Sequence, residues 1–179
     1  SATLDTSSKY FTNFIISAQL LQTSSKMAGK ERKVLVSVDG SEHSMRAFDW
    51  YCENIHKPGD YCLALNVTEF SMHGLPGILS NPDAVVDEYK QIKQVTDKLM
   101  SDFADKMRQK GIKGSADTVP GGGSSPGEEI VKMAESNKVN LIVMGTRGLG
   151  KLRRTILGSV SDYVLHHANC PVVIVRPEQ

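Results

Sequence analysis

From Lys33 onward the chain alternates between two hydrophobic rhythms. Short runs rich in β-branched and apolar residues read as strands: Lys33–Val38 (KVLVSV), Tyr61–Val67 (YCLALNV), Ser115–Val119, Leu141–Met144 (LIVM) and Val172–Val175 (VVIV). The stretches between them repeat at helical spacing. After Asp39-Gly40, Ser41 is placed to cap a helix that turns Ala47, Trp50 and Tyr51 inward and stops near His56. Lys57-Pro58-Gly59-Asp60 is a turn, and Thr68–Ser80 a loop with glycine and proline breakers. Asn81-Pro82 reads as cap and first helical residue of a long helix. Its apolar stripe is Val85, Tyr89, Ile92, Leu99, Phe103 and Met107, and it ends at Gly111. Pro120–Ser124 is a loop. Ser125-Pro126 with Glu128 and Glu129 opens another helix, and Thr155–His167 is read as a last one.

Strand and helix alternate throughout, which predicts an α/β fold: a parallel sheet with helices on both faces. In such sheets ligands sit beyond the carboxyl ends of the strands, where strand order reverses. The ends to inspect are therefore Asp39, Val67, Val119–Gly123, and Gly145 onward. The first 26 residues do not share the rhythm: they are rich in Ser and Thr, carry one acidic residue, Asp5, and contain no arginine. Residues 1–26 are expected to be a poorly ordered extension, and 27–179, beginning at Met27, a single domain.

Composition narrows the function classes. A net charge of +1 gives no global reason to expect nucleic acid or a membrane surface as partner. No apolar run approaches the roughly 20 residues that span a bilayer, and a cytoplasmic location is expected. The three cysteines, Cys52, Cys62 and Cys170, fit no zinc spacing and read as free thiols.

Against that neutral background, one segment stands out. After the fourth strand come Gly145-Thr146-Arg147-Gly148, nine further residues, and Gly158-Ser159. Glycines let backbone N–H groups approach an oxygen closely, and a helix start adds its positive dipole end. The hydroxyls of Ser159 and Ser161 are further candidate donors. Between Gly145 and Ser159 stand four basic residues, Arg147, Lys151, Arg153 and Arg154, and no acidic one. The segment from Met144 to Ser161 is therefore read as a phosphate-binding loop. It matches neither the Gly-x4-Gly-Lys-Ser/Thr loop nor the dinucleotide fingerprint. The alternative is a glycine-rich turn that binds nothing.

The pattern Gly145-x2-Gly148-x9-Gly158-Ser159 resembles the ATP-binding signature of the universal stress protein family. KVLVSVDGSEHS and CPVVIVRP resemble that family's first and last strands, so the likeness runs from Lys33 to Pro177. The resemblance implies a Rossmann-like open sheet of five parallel strands, the ATP-binding branch of the family and a part in stress survival. It also implies a pocket. Ser37, Val38 and Asp39 would border the adenosine, and the Val67 backbone would bond the adenine edge. Met144 and Gly145 would line the ribose. Gly148, Gly158, Ser159, Val160 and Ser161 would surround the phosphates. Many relatives place a serine or histidine after the first motif glycine. Here Thr146 and Arg147 stand in that place, and both are candidates to reach the phosphates.

Asp39 has a second reading, as a cap for the turn at Gly40. Asn66-Val67-Thr68 fits a glycosylation sequon but ends a strand that should be buried. His166 and His167 read as cations at a helix C-terminus, whereas His43 and His73 have no evident partner. Hydrolysis would need metal ligands, and Asp39 is the only carboxylate at the expected sheet edge. The expected function is thus a sensor or switch binding ATP (or AMP or ADP), with or without Mg, that hydrolyses ATP slowly at most and acts through an unknown protein partner. The alternatives are a dimeric scaffold without nucleotide and an ATP-using hydrolase or transferase on a related fold. Val172–Val175 is so apolar that as an edge strand it would need cover; pairing with its own copy in a homodimer, as in relatives, would supply it.

Overall fold

The computed structural model describes residues 31–68, 82–121, 123–146 and 157–177. The chain divides into two units, 1–31 and 32–179, and the described strands and helices lie in the second. These elements are β1 (Lys33–Ser37), α1 (Glu42–Asn54), β2 (Tyr61–Thr68), α2 (Pro82–Gln109), β3 (Gly114–Pro120), α3 (Pro126–Ser136), β4 (Leu141–Gly145), α4 (Ser159–His167) and β5 (Val172–Val175). The five strands form one sheet in the order β3-β2-β1-β4-β5, and every pairing is parallel. The chain winds outward from β1 to β3, returns to the other side of β1, and winds outward again. The reversal falls between β1 and β4, where a parallel sheet opens a crevice at its carboxyl edge.

Period-two alternation along the strands builds two cores. Val34, Val36, Cys62, Ala64 and Val143 face α1 and α2, where Ala47, Phe48, Tyr51, Met100, Phe103 and Met107 cover them. Leu35, Leu63, Leu65, Ile142 and Met144 face the other way, against Ile130 and Ala134 of α3 and Val164 of α4. Phe48 meets Phe103 edge to face at 5.2 Å between centroids, so the first core is closed by aromatic packing rather than by the sheet alone.

Two expected core assignments need correction. In α1 the fully buried positions are Ala47, Phe48 and Tyr51, and Trp50 is only partly covered. The helix is rotated so that Phe48 meets Phe103 edge to face. In α2 the lower stripe holds, with Phe103 and Met107 buried and Leu99 partly so, but Tyr89 is half exposed. The buried partners there are Met100 and Thr96 instead. The N-terminal turns also expose Val86 and Val95, so the sheet does not cover that half of the helix.

Local chemistry fixes the ends of these elements. Ser41 caps α1 by accepting from Ser44 N–H, and Ser125 caps α3 by accepting from Glu128 N–H, with Pro126 in the first turn. At the opposite edge of the sheet Asp60 is buried. It accepts from the Arg32 guanidinium at both oxygens and from Lys57 N–H, while Arg32 also reaches Ile55 C=O. Burial opposes ionisation of Asp60, but the Arg32 and Lys57 hydrogen bonds outweigh it and hold the carboxyl below its usual range. The three cysteines form no disulfide. Burial pushes Cys52 up to about 11 and Cys62 up to about 12, so both are protonated thiols and poor nucleophiles.

Candidate functional site

The crevice at the carboxyl edge is framed by the turn after β1 and by the segment that leaves β4. Beyond Ser37, Gly40 turns with φ +79°, a conformation that disfavours any side chain. Asp39 bridges this turn: its Oδ1 accepts from Ser41 N–H at 3.0 Å and its N–H donates to Ser44 Oγ at 3.3 Å. The capping role expected as the second reading of Asp39 is therefore real. Its other carboxylate oxygen carries no protein bond in this turn, and the residue is only partly buried.

On the β4 side, Gly145 ends the strand against the first turn of α1. A Cβ there would lie 2.8 Å from His43 O and 2.9 Å from its carbonyl carbon. This glycine is thus required by backbone packing, whatever else it lines. Thr146 joins three elements. Its N–H donates to Val175 C=O at 3.2 Å, and its own C=O accepts from Gly158 N–H at 2.8 Å.

Ser161 secures the neck from inside. Its hydroxyl is buried and lies 3.1 Å from Thr146 C=O and 2.9 Å from Gly158 C=O, both acceptors. The single hydroxyl proton is thus engaged by the backbone. Among the protein's own bonds Ser161 is a brace, while Ser159, the first residue of α4, is exposed.

The N-terminus of α4 differs from those of α1 and α3. Its cap is Gly158, with ordinary extended geometry (φ −67°, ψ 151°) and no side-chain cap bond. The first helical bond is Asp162 N–H to Gly158 C=O, so the amides of Ser159, Val160 and Ser161 precede the helical ladder. Together they present donors and the positive dipole end at the crevice. The helix does not begin at Thr155: residues 157 and 158 are non-helical, and 155 lies outside the described residues.

The expected site residues thus fall into groups. Ser37, Val38, Asp39, Val67, Gly145, Gly158, Ser159, Val160 and Ser161 stand at or beside the carboxyl ends of β2, β1 and β4 or at the start of α4. Val38 and Met144 are buried in opposite cores, so their backbones rather than their side chains face the edge. Arg147, Gly148, Lys151, Arg153 and Arg154 lie outside the described residues, as does His73. Asn66 is where sequence reasoning falls short. Its side chain is buried and donates to Val38 C=O at 2.8 Å, so it braces the sheet edge and is not presented as a sequon. His166 and His167 do end α4, and His167 stacks on Tyr163 with centroids 3.9 Å apart.

Among the described residues no three His, Cys, Asp or Glu side chains converge to hold a metal. Asp39 is a single carboxylate already engaged by Ser41. These residues do not build a Mg site of their own; a metal here would depend on oxygens brought by the ligand. No described helix is long and apolar enough to cross a membrane.

Residues 31–176 match the profile of the Universal stress protein family. The chain is 32% identical over 151 residues to Universal stress protein YxiE of Bacillus subtilis, covering 80% of this chain and 98% of that one. Among solved structures it is similar to the protein MJ0577, with 26% identity and a TM-score of 0.68 over 83% of this chain and 97% of that one. It is also similar in fold to a family protein from Arabidopsis thaliana with AMP bound, with 23% identity and a TM-score of 0.57 over 82% of this chain and 92% of that one.

Proposed function

This chain belongs to the universal stress protein family, and from that premise we propose that it binds an adenine nucleotide, ATP by preference, at the crevice between β1 and β4. One observation carries the reading: α4 begins at a glycine with no capping side chain, beside the neck formed by Thr146 and Gly158. Phosphate oxygens would accept from the amides of Ser159 and Val160 and from the Ser159 hydroxyl. Arg147 and Gly148 complete the phosphate contacts in this reading, with Thr146 and Arg147 both candidates to reach the terminal phosphate. Met144 and Gly145 would line the ribose through their backbone. Ser37, Val38 and Asp39 would border the adenosine, and the Val67 backbone would bond the adenine edge. The AMP-bound relative of the same fold supports the choice of an adenine nucleotide.

The nucleotide acts here as an effector. In this reading the protein is a cytoplasmic sensor or switch that hydrolyses ATP slowly at most; among the described residues Asp39 has no second carboxylate beside it to form a paired metal site for phosphoryl transfer. Denaturing the freshly purified protein and identifying what it releases by chromatography and mass tests this. An adenine nucleotide near one equivalent supports the reading; no nucleotide, together with no affinity for added ATP, overturns it.

The sheet edges support a homodimer. β3 (GSADTVP) ends one side with polar residues, an aspartate and a proline. β5 (VVIV) ends the other with valines and an isoleucine that are only partly covered, apart from Val175. Pairing of β5 with its own copy would cover that edge. A Val173→Lys variant is expected to elute as monomer or aggregate in sizing with light scattering; an unchanged dimer would show that β5 is not the contact.

A further inference from the structure

Asn66 sits where an apolar residue would serve a strand better. Its neighbours on β2, Leu63, Ala64 and Leu65, are buried hydrophobics, and Asn66 is buried with them. Burying an amide costs free energy unless it is hydrogen-bonded, so its bond to Val38 C=O needs a reason.

The register supplies one. β1 pairs with β2 as far as Ser37↔Leu65, and the next bond is Val38 N–H to Leu65 C=O at 2.9 Å. Leu65 therefore points its N–H and C=O toward β1. Backbone groups alternate sides along a strand, so Val67 points the same way. A ladder continued one step would have Val67 N–H donating to Val38 C=O, and Val67 C=O accepting from Gly40 N–H. Neither bond forms among the described residues. The Asn66 side chain holds the Val38 carbonyl instead, at 2.8 Å. On the other side, Val67 remains in register with Val119 of β3, so the strand itself is not frayed.

We propose that Asn66 is a positioning residue that stands in for the Val67 amide at the Val38 carbonyl and so leaves the Val67 N–H and C=O open toward the crevice, as an edge for a purine bearing an adjacent acceptor and donor. This rests on the nucleotide reading above and deepens it. A free N–H beside a free C=O matches the ring nitrogen and exocyclic amino group of adenine. In the same base orientation it mismatches guanine, which presents a carbonyl where adenine has the amino group and a ring N–H where adenine has the acceptor nitrogen. Asn66 touches no ligand itself. It keeps the strand from zipping one residue further and closing the edge.

The test uses the full chain. In wild type without nucleotide, the Val67 amide exchanges with solvent far faster than the Leu65 amide in hydrogen-exchange NMR, and added ATP protects it. A Val67 amide as protected as Leu65 in nucleotide-free protein overturns the inference. In Asn66→Ala, Val67 pairs with Val38. ATP affinity falls roughly tenfold, the equivalent of one net hydrogen bond, while affinity for inorganic triphosphate changes by less than about twofold. Equal loss for both ligands would mean general loosening of the site and would also overturn it. If wild type binds ATP and Asn66→Ala binds it equally, this inference alone fails. If wild type binds no ATP, the nucleotide reading fails with it. Should Asn66→Ala not fold, the wild-type exchange measurement decides.

Discussion

Helices α3 and α4 both start at the carboxyl edge of the sheet, each after a parallel strand, yet they satisfy their leading amides in opposite ways. Ser125 supplies α3 with its own acceptor, a hydroxyl 3.3 Å from Glu128 N–H, and two acidic residues stand in its first turn. That N-terminus is satisfied from within. Gly158 supplies α4 with no side-chain acceptor, and a single acidic residue, Asp162, stands in its first turn. Its leading amides are left for water or for an anion, and the nearby hydroxyl of Ser161 is turned inward to the backbone. A side chain that caps a helix and a ligand that occupies its N-terminus compete for the same donors. In the proposed reading, the contrast makes α4 the ligand-facing start and α3 the structural one.

The sharpest way to break this contrast is to give α4 the cap it lacks. Gly158 has φ −67°, which any residue adopts, so its backbone conformation does not itself exclude a side chain. Gly158→Asp places a carboxylate on the same amides and is expected to weaken ATP binding about a hundredfold or more, through lost amide donors and like-charge repulsion. The same change is expected to stabilise the fold by about 0.5 kcal/mol in chemical denaturation, because aspartate caps better than glycine. Affinity and stability moving in opposite directions is the signature; unchanged affinity would mean that the amides of α4 do not meet phosphate.

Removing the brace at the neck comes next in size. Ser161→Ala leaves two carbonyls, of Thr146 and Gly158, without their hydroxyl partner and is expected to cost about 1–2 kcal/mol of stability. ATP affinity should fall only modestly. A loss of affinity with no change in denaturation midpoint would instead make Ser161 a direct ligand. The smallest effect is expected on the other side of the comparison. Ser125→Ala should cost about 1 kcal/mol of stability and leave ATP binding unchanged; a loss of binding would show that α3 also faces the nucleotide.

Legibility in the chain depends on how local each signal is. The caps at Ser41 and Ser125 and the strand at Val172–Val175 stand in the sequence because each depends on residues within one turn or one strand. Gly145 and Gly158 are legible as glycines, but the reason for Gly145 is not. It lies in the approach of the His43 carbonyl, a contact between segments about a hundred residues apart. The bracing role of Asn66 is not legible, because its partner, Val38 C=O, is 28 residues away, just beyond β1. Periodicity points to Trp50 rather than Phe48 because it fixes the face of a helix only to within a residue; Phe103 of α2 decides the rotation. Tyr89 has the spacing of a core residue, and only the extent of the sheet shows that its half of α2 is not covered. The basic residues Arg147, Lys151, Arg153 and Arg154 lie outside the described residues, so their part in the site rests on the sequence.

The most direct measurement is isothermal titration calorimetry of ATP into protein stripped of bound nucleotide, run in parallel on wild type and Gly158→Asp. An α4 start that receives phosphate predicts saturable one-to-one binding to wild type and a curve weakened about a hundredfold in the variant. Flat heats for wild type, or identical curves for the two proteins, would contradict it.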